Sequence, residues 1–138
     1  MVITKEIGLH SQGNGDIIDI TSQVEREVRE AGVGDGIVTL FISGSTAGIT
    51  TIEFEPGLLS DFGAMWERTV PQGIAYDHNR RWGDGNGHSH VRASLLGASL
   101  VVPVRNRRLA LGTWQQVVVV DFDNRPRSRQ VVVQVMGE

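Results

Sequence analysis

RQVVVQVM, residues 129–136, is a nearly continuous run of β-branched and apolar side chains. Such a run reads as a strand covered on both faces. Two further strands lead up to it: Ser99 to Val104, and Leu109 to Phe122 with a break expected at Gly112-Thr113-Trp114. Upstream, GIVTLFIS (36–43) has the composition of a buried strand. Val2 to Leu9 and Asp16 to Thr21 read as two short strands separated by the turn-rich SQGNG of 11–15. Strands joined by short turns pair antiparallel.

Two helices are legible between them. In SQVEREVREAG (22–32), Ser22 and Glu25 have capping-box spacing, Val24, Val28 and Ala31 share a face, and Gly32 is a stop. In PGLLSDFGAMWERTVP (56–71), Pro56 suits a first turn and Pro71 a terminator, with Leu58, Leu59, Phe62, Met65 and Trp66 as the apolar stripe. Two helices are too few to cover both faces of a large parallel sheet. The expected fold is therefore α+β: one domain over residues 1–138, a mostly antiparallel sheet with helices packed mainly on one face.

Composition narrows the function. The absence of cysteine removes disulfides, thiolate metal sites and thiol nucleophiles, and fits a reducing, cytoplasmic setting. The uncharged stretches 93–104 and 109–120 are too short to cross a bilayer, and no secretory signal pattern opens the chain, so no membrane partner is expected. The net charge of −3 is unevenly spread, and the arginines concentrate in the second half. With no lysine among them and few aromatics, they point to local anion sites rather than nucleic acid.

Four stretches could carry chemistry. YDHNRRWGDGNGHSH (76–90) holds three of the four histidines. On extended chain His88 and His90 would face the same way; on a helix they would diverge by about 200°. Placed on a loop or the first turn of a short helix, and joined by His78, they could form a three-imidazole site for a divalent metal, most naturally zinc. Loop histidines bonded to neighbours or solvent explain the same letters. SGSTAGITTIEFEPG (43–57) follows a buried strand, and its hydroxyls and glycines could cradle an anion or form only a polar turn. Glu53 and Asp61 are candidate acid/base carboxylates. LGTWQQ (111–116) reads as a bulge or as a pocket wall in which Gln115 makes hydrogen bonds. In DNRPRSR (123–129), Arg125, Arg127 and Arg129 alternate, as on a solvated basic edge.

STAGIT (45–50) with Glu53, NGHSHVRASLLGASLVVPV (86–104), RLALGTWQQVVVVDFD (108–123) and RPRSRQVVVQVMG (125–137) together resemble the YjbQ-like family. That resemblance implies a homotrimer with a pocket near its subunit boundaries. It also implies a polar signature at Thr46, Glu53, His78, Asn86, His88, His90, Trp114, Gln115 and Arg127, and it carries the label of a secondary thiamine-phosphate synthase. Two departures stand out: Gly44-Ser45-Thr46 where the family commonly has His-Thr-Thr, and Arg107 where a glycine is usual. The implied function is a metal-dependent enzyme acting on a small anionic, possibly phosphorylated, metabolite, with weak thiamine-phosphate synthase activity. The other reading is a non-enzymatic trimeric binding protein for such a metabolite. Ser45, Thr46, Asn86, Trp114, Gln115 and Arg127 are the expected ligand-binding residues, gathered in one pocket with the metal at its rim.

Overall fold

A computed structural model describes residues 1–138. In chain order the elements are β1 (Val2–Ser11), β2 (Asp16–Asp19), α1 (Thr21–Ala31), β3 (Gly36–Ile42), β4 (Ala47–Ile52), α2 (Pro56–Thr69), α3 (Asp77–Trp82), α4 (Gly87–Leu96), β5 (Ser99–Arg105), β6 (Arg108–Leu109), β7 (Gln116–Asp121) and β8 (Arg127–Gly137). The fold is α+β and every strand pairing is antiparallel. The strands form a five-stranded ladder, β1-β8-β3-β5-β6, and a three-stranded ladder, β2-β7-β4.

The alternation of the strands builds two cores. From the larger ladder, Val38, Leu40, Ile42, Val102, Val131, Val133 and Val135 turn inward against Val24 and Val28 of α1 and Val117 and Val119 of β7. Val118 and Val120, on the other face of β7, pack with Phe122 against Trp66, Val70 and Ala93. The Trp66 and Phe122 rings meet edge-on at 4.9 Å, an arrangement favoured by the ring quadrupoles. The strand covered on both faces is thus β7. Within one chain, β8 buries Val131, Val133 and Val135 on one side only, and Met136 is exposed on the other.

The outer face of the large ladder carries the remaining apolar side chains. Ile37 lies between Pro103 and Met136, and Phe41 pairs with Ser99 and Val132. Ile37, Phe41, Val101 and Met136 are all exposed there.

Local signals were partly displaced by neighbours. Asp19, not a Ser22–Glu25 box, holds the start of α1: its Oδ1 accepts from both the Thr21 N–H and the Thr21 hydroxyl, at 2.9 and 2.6 Å. Glu55 caps α2 by accepting from the Gly57 and Leu58 amides, with Pro56 in the first turn as expected. The stretch 43–57 is only partly a loop, because residues 47–52 are β4, paired along its whole length with β7. Gly48 lets the end of α4 close on that strand; a Cβ there would lie 2.8 Å from the Leu96 side chain and 2.9 Å from the Gly97 carbonyl. No helix is long and apolar enough to cross a membrane.

Candidate functional site

The β4–β7 ladder has two ends, and the expected site residues are divided between them. Ala47 pairs with Asp121 at one end and Ile52 with Gln116 at the other. At the Asp121 end, two carboxylates with fully buried side chains meet two arginines from β8. Arg129 forks onto Asp121, Nε to Oδ2 at 2.8 Å and Nη2 to Oδ1 at 2.9 Å. Its Nη2 also donates to the Thr46 hydroxyl, which in turn donates to Asp123 at 3.1 Å. Asp123 further accepts from Arg127 (2.8 Å), from the Asn124 amide (2.8 Å) and from Asn86 Nδ2 (3.2 Å).

Burial alone would raise both carboxyl pKa values. Asn86, the Asn124 N–H and Arg127 outweigh it at Asp123 and hold that group at about 2. Arg129 and Ser11 outweigh it at Asp121, which is also lowered. Both carboxylates are therefore ionised and occupied near neutral pH, and neither can serve as a base.

The histidines stand on helices packed beside this cluster. His78 is in α3; His88 and His90 are in the first turn of α4. Gly87 lets α4 begin against α3. A Cβ there would come within 2.7 Å of Tyr76 Cβ, and the Gly87 amide donates to Asn79 Oδ1 at 2.8 Å. The Ser89 hydroxyl donates to the Phe122 carbonyl and ties α4 to the end of β7.

Helical geometry then separates the pair. His90 meets His78, ring centroids 4.3 Å apart, while His88 is 2 % exposed and turned toward Tyr76. The three imidazoles do not converge, and no group of three His, Cys, Asp or Glu side chains lies together for a metal. Burial first, then the neighbouring His78, keeps His90 below the usual imidazole range. Burial and then Arg92 do the same to His88.

A cleft of about 320 Å³ opens beside this pair, lined by Gly44, Ser45, His90, Ser94 and Gly97. Gly44 has φ 121°, and a Cβ on it would stand 2.7 Å from Arg129 Nη1. The guanidinium therefore lies directly behind the glycine, without itself lining the cleft.

Other expected members are elsewhere. Trp114 is 73 % exposed and follows β6 in the approach to the far end of β7. Gln115 is also at that end, donating to the Thr51 hydroxyl at 3.0 Å. Glu53 is exposed just beyond the last residue of β4, and Asp61 is exposed on α2. Arg127 pairs with Asp123 and lines a separate cleft with His10 and Gln12. Within one chain, the single pocket expected to join Arg127, Trp114 and the Gly44 turn is not formed.

The reading of 123–129 as a solvated basic edge holds for Arg125, which is exposed, and fails for Arg127 and Arg129. Asp121 and Asp123 were not among the expected residues. Their signal was the double alternation, Asp-x-Asp followed by Arg-x-Arg, which puts like charges on one side of each segment.

A family described as "UPF0047 protein YjbQ-like" matches residues 5–138. A UPF0047 protein of Archaeoglobus fulgidus is 42% identical over 131 residues, covering 95% of this chain and 99% of that one. Another, from Methanothermobacter thermautotrophicus, is 42% identical over 137 residues, covering 99% and 94%. Among solved structures, a YbjQ-like protein of unknown function from Sulfolobus solfataricus superposes with a TM-score of 0.95 at 34% identity, covering 100% of this chain and 99% of that one. The chain belongs to the UPF0047, YjbQ-like family.

Proposed function

We propose that the protein is a metal-dependent enzyme for a small anionic, possibly phosphorylated, metabolite, working in the cytoplasm from the cleft between the Gly44–Ser45 turn and α4. The observation that carries this reading is the His78–His90 pair, 4.3 Å between centroids, with His90 on the cleft wall. The donors suit zinc: imidazole is the preferred nitrogen ligand for such metals, and the environment of His90 favours its neutral, ligating form. His78 Nδ1 is buried without a hydrogen-bond partner, and Asp84 Oδ1 lies 3.5 Å away, placed to orient the ring.

His78 and His90 would hold the metal, which supplies Lewis acidity and an activated water when bound. Two imidazoles leave coordination positions for the metabolite. Ser45 and Ser94 offer hydroxyls to it from the cleft wall. Weak thiamine-phosphate synthase activity would be a side reaction of such a phosphate-tolerant cleft. A dedicated synthase of that kind would ordinarily hold Mg²⁺ through carboxylates.

The test is metal content by plasma mass spectrometry on untagged protein, parent against the double variant His78→Ala, His90→Ala. The parent is expected to carry or take up zinc and the variant to stay empty. Parent protein that remains metal-free after incubation with zinc, cobalt or manganese overturns the reading.

One observation favours a non-enzymatic binding protein instead. Glu53 and Asp61 do not line the cleft, and Asp121 and Asp123 are locked by arginines, so none of these four carboxylates is placed to act as a base there. Metabolite that co-purifies and is returned unchanged after release would support that alternative.

We further propose that the chain works as a homotrimer, closed over the exposed Ile37, Phe41, Val101 and Met136 on the outer face of the large ladder. Obligate interfaces commonly bury above ~2,000 Å² and are rich in such side chains. Light scattering across a dilution series should give three chains per particle, and Phe41→Glu should shift the particle toward monomer. A parent that is monomeric at low micromolar concentration would sink the proposal.

A further inference from the structure

At the opposite end of β3 and β5 from the Gly44 turn, β5 and β6 form a hairpin. Val104 pairs with Leu109 and Arg105 with Arg108, so the connection is the two residues Asn106–Arg107. Both have positive φ, 51° and 63°, as a type I′ turn demands. Asparagine accepts this region readily; an arginine does not, since its Cβ crowds the following carbonyl. Two bonds from the β3 approach hold the turn in place. The Arg107 amide donates to the Gly34 carbonyl at 2.9 Å, and the Asn106 amide to Asp35 Oδ1 at 3.0 Å.

The arginine held in that backbone lines a cleft of about 350 Å³ together with Arg29, Arg108, Glu25 and Leu109. Arg29 comes from the last turn of α1, so the cleft joins two elements distant in sequence. None of the three guanidinium groups is engaged in an ion pair; the chain's salt bridges all lie elsewhere. Three unpaired like charges around one concavity, with Glu25 the one acid in its lining, raise a local positive potential even with Asp35 bound to the Asn106 amide nearby. Planar guanidinium forks accept two oxygens of one oxyanion at once. A strained non-glycine residue at such a point is an observation from which function is inferred, because the fold would be easier to make without it.

We infer that this cleft binds a small, multiply charged phosphate-type oxyanion, at a site separate from the one beside His90. Arg107 and Arg108 grip it from the hairpin, and Arg29 from α1. Leu109 gives one apolar wall, against which a short organic substituent on the phosphate can lie.

The experiment is isothermal titration with inorganic pyrophosphate at low ionic strength, on the parent and on Arg107→Gly, Arg29→Ala and His90→Ala. Loss of one charge-assisted contact weakens binding at least about tenfold, and that loss is expected for Arg107→Gly and Arg29→Ala. His90→Ala should leave the high-affinity phase unchanged. Glycine is relaxed at φ 63°, so Arg107→Gly should keep or raise the thermal midpoint; its loss of binding cannot then be put down to unfolding. Citrate, titrated in parallel, distinguishes phosphate from carboxylate chemistry and should bind more weakly. The inference is overturned if Arg107→Gly and Arg29→Ala bind pyrophosphate like the parent. It is equally overturned if the parent gives no response to pyrophosphate; retention on immobilised polyglutamate would then make the cleft a docking point for acidic polypeptide.

Discussion

Arg129→Ala is expected to lower stability by about 3–5 kcal/mol, the range for removing one partner of a buried ion pair. The reason is what stays behind. Asp121 has no exposed side-chain surface, and Arg129 supplies two of its hydrogen bonds. Without the guanidinium, a carboxylate is left in the interior with only the Asp123 amide and Ser11 near it. Thr46 loses its donor in the same step. Replacing both charges, Asp121→Asn with Arg129→Met, should cost distinctly less than Arg129→Ala alone. Urea unfolding with global fitting would measure this, and a shift below about 1 kcal/mol for Arg129→Ala would refute the account. The same cluster sets the acid limit. A carboxyl whose folded pKa lies below its unfolded value contributes stability that is present above the unfolded pKa and lost as pH falls through the folded one. For Asp123 those values are 3.8 and about 2. The parent should therefore hold to below pH 4 and give way toward pH 2, and Arg127→Ala should unfold at a higher pH.

Gly44→Ala is the second large effect. At φ 121° a side chain is strained whatever the space around it, at a cost of about 1–3 kcal/mol. The added Cβ also meets Arg129 Nη1 at 2.7 Å and must push the guanidinium off its seat. The two changes should be strongly coupled: once Arg129 is gone, the methyl has nothing to displace, so the double variant Gly44→Ala, Arg129→Ala should lose less than the sum. Additive losses, within about 0.5 kcal/mol, would show that the two residues do not touch. The resemblance implied a histidine at this position; Gly44→His would meet the same strained backbone and the same guanidinium, and should destabilise the protein.

The strands were readable wherever alternation or a valine run was strong, as in β3, β5, β7 and β8. Residues 47–52 escaped because small side chains and a glycine look like a loop; Gly48 is small for the sake of the α4 terminus, a tertiary demand invisible along the chain. The histidines were found, but not their separation. Of the two placements open to His88 and His90, a loop or the first turn of a short helix, the structure has the helix: Gly87 already begins α4, held by Asn79 and crowded by Tyr76. One helical turn then sends His88 and His90 apart. Trp114 and Gln115 were correctly tied to β7, yet only the ladder register shows that they sit at the opposite end of that strand from Asp121. The charge cluster was half seen: the arginines were noticed, and the aspartates that neutralise them lay unremarked two and four residues before Arg125.

The position of β8 governs how the chain can assemble. It is hydrogen-bonded to β1 on one side and β3 on the other, and Ser128 reaches His10 across 118 positions of sequence. Neither β1 nor β3 has a neighbour on that side until β8 arrives. The large sheet therefore cannot grow hairpin by hairpin; its centre is filled late, by a contact of high sequence separation. Such topologies fold slowly, and the open edges of β1 and β3 are exposed to pairing with other chains in the meantime. Refolding yield should fall with protein concentration for this reason.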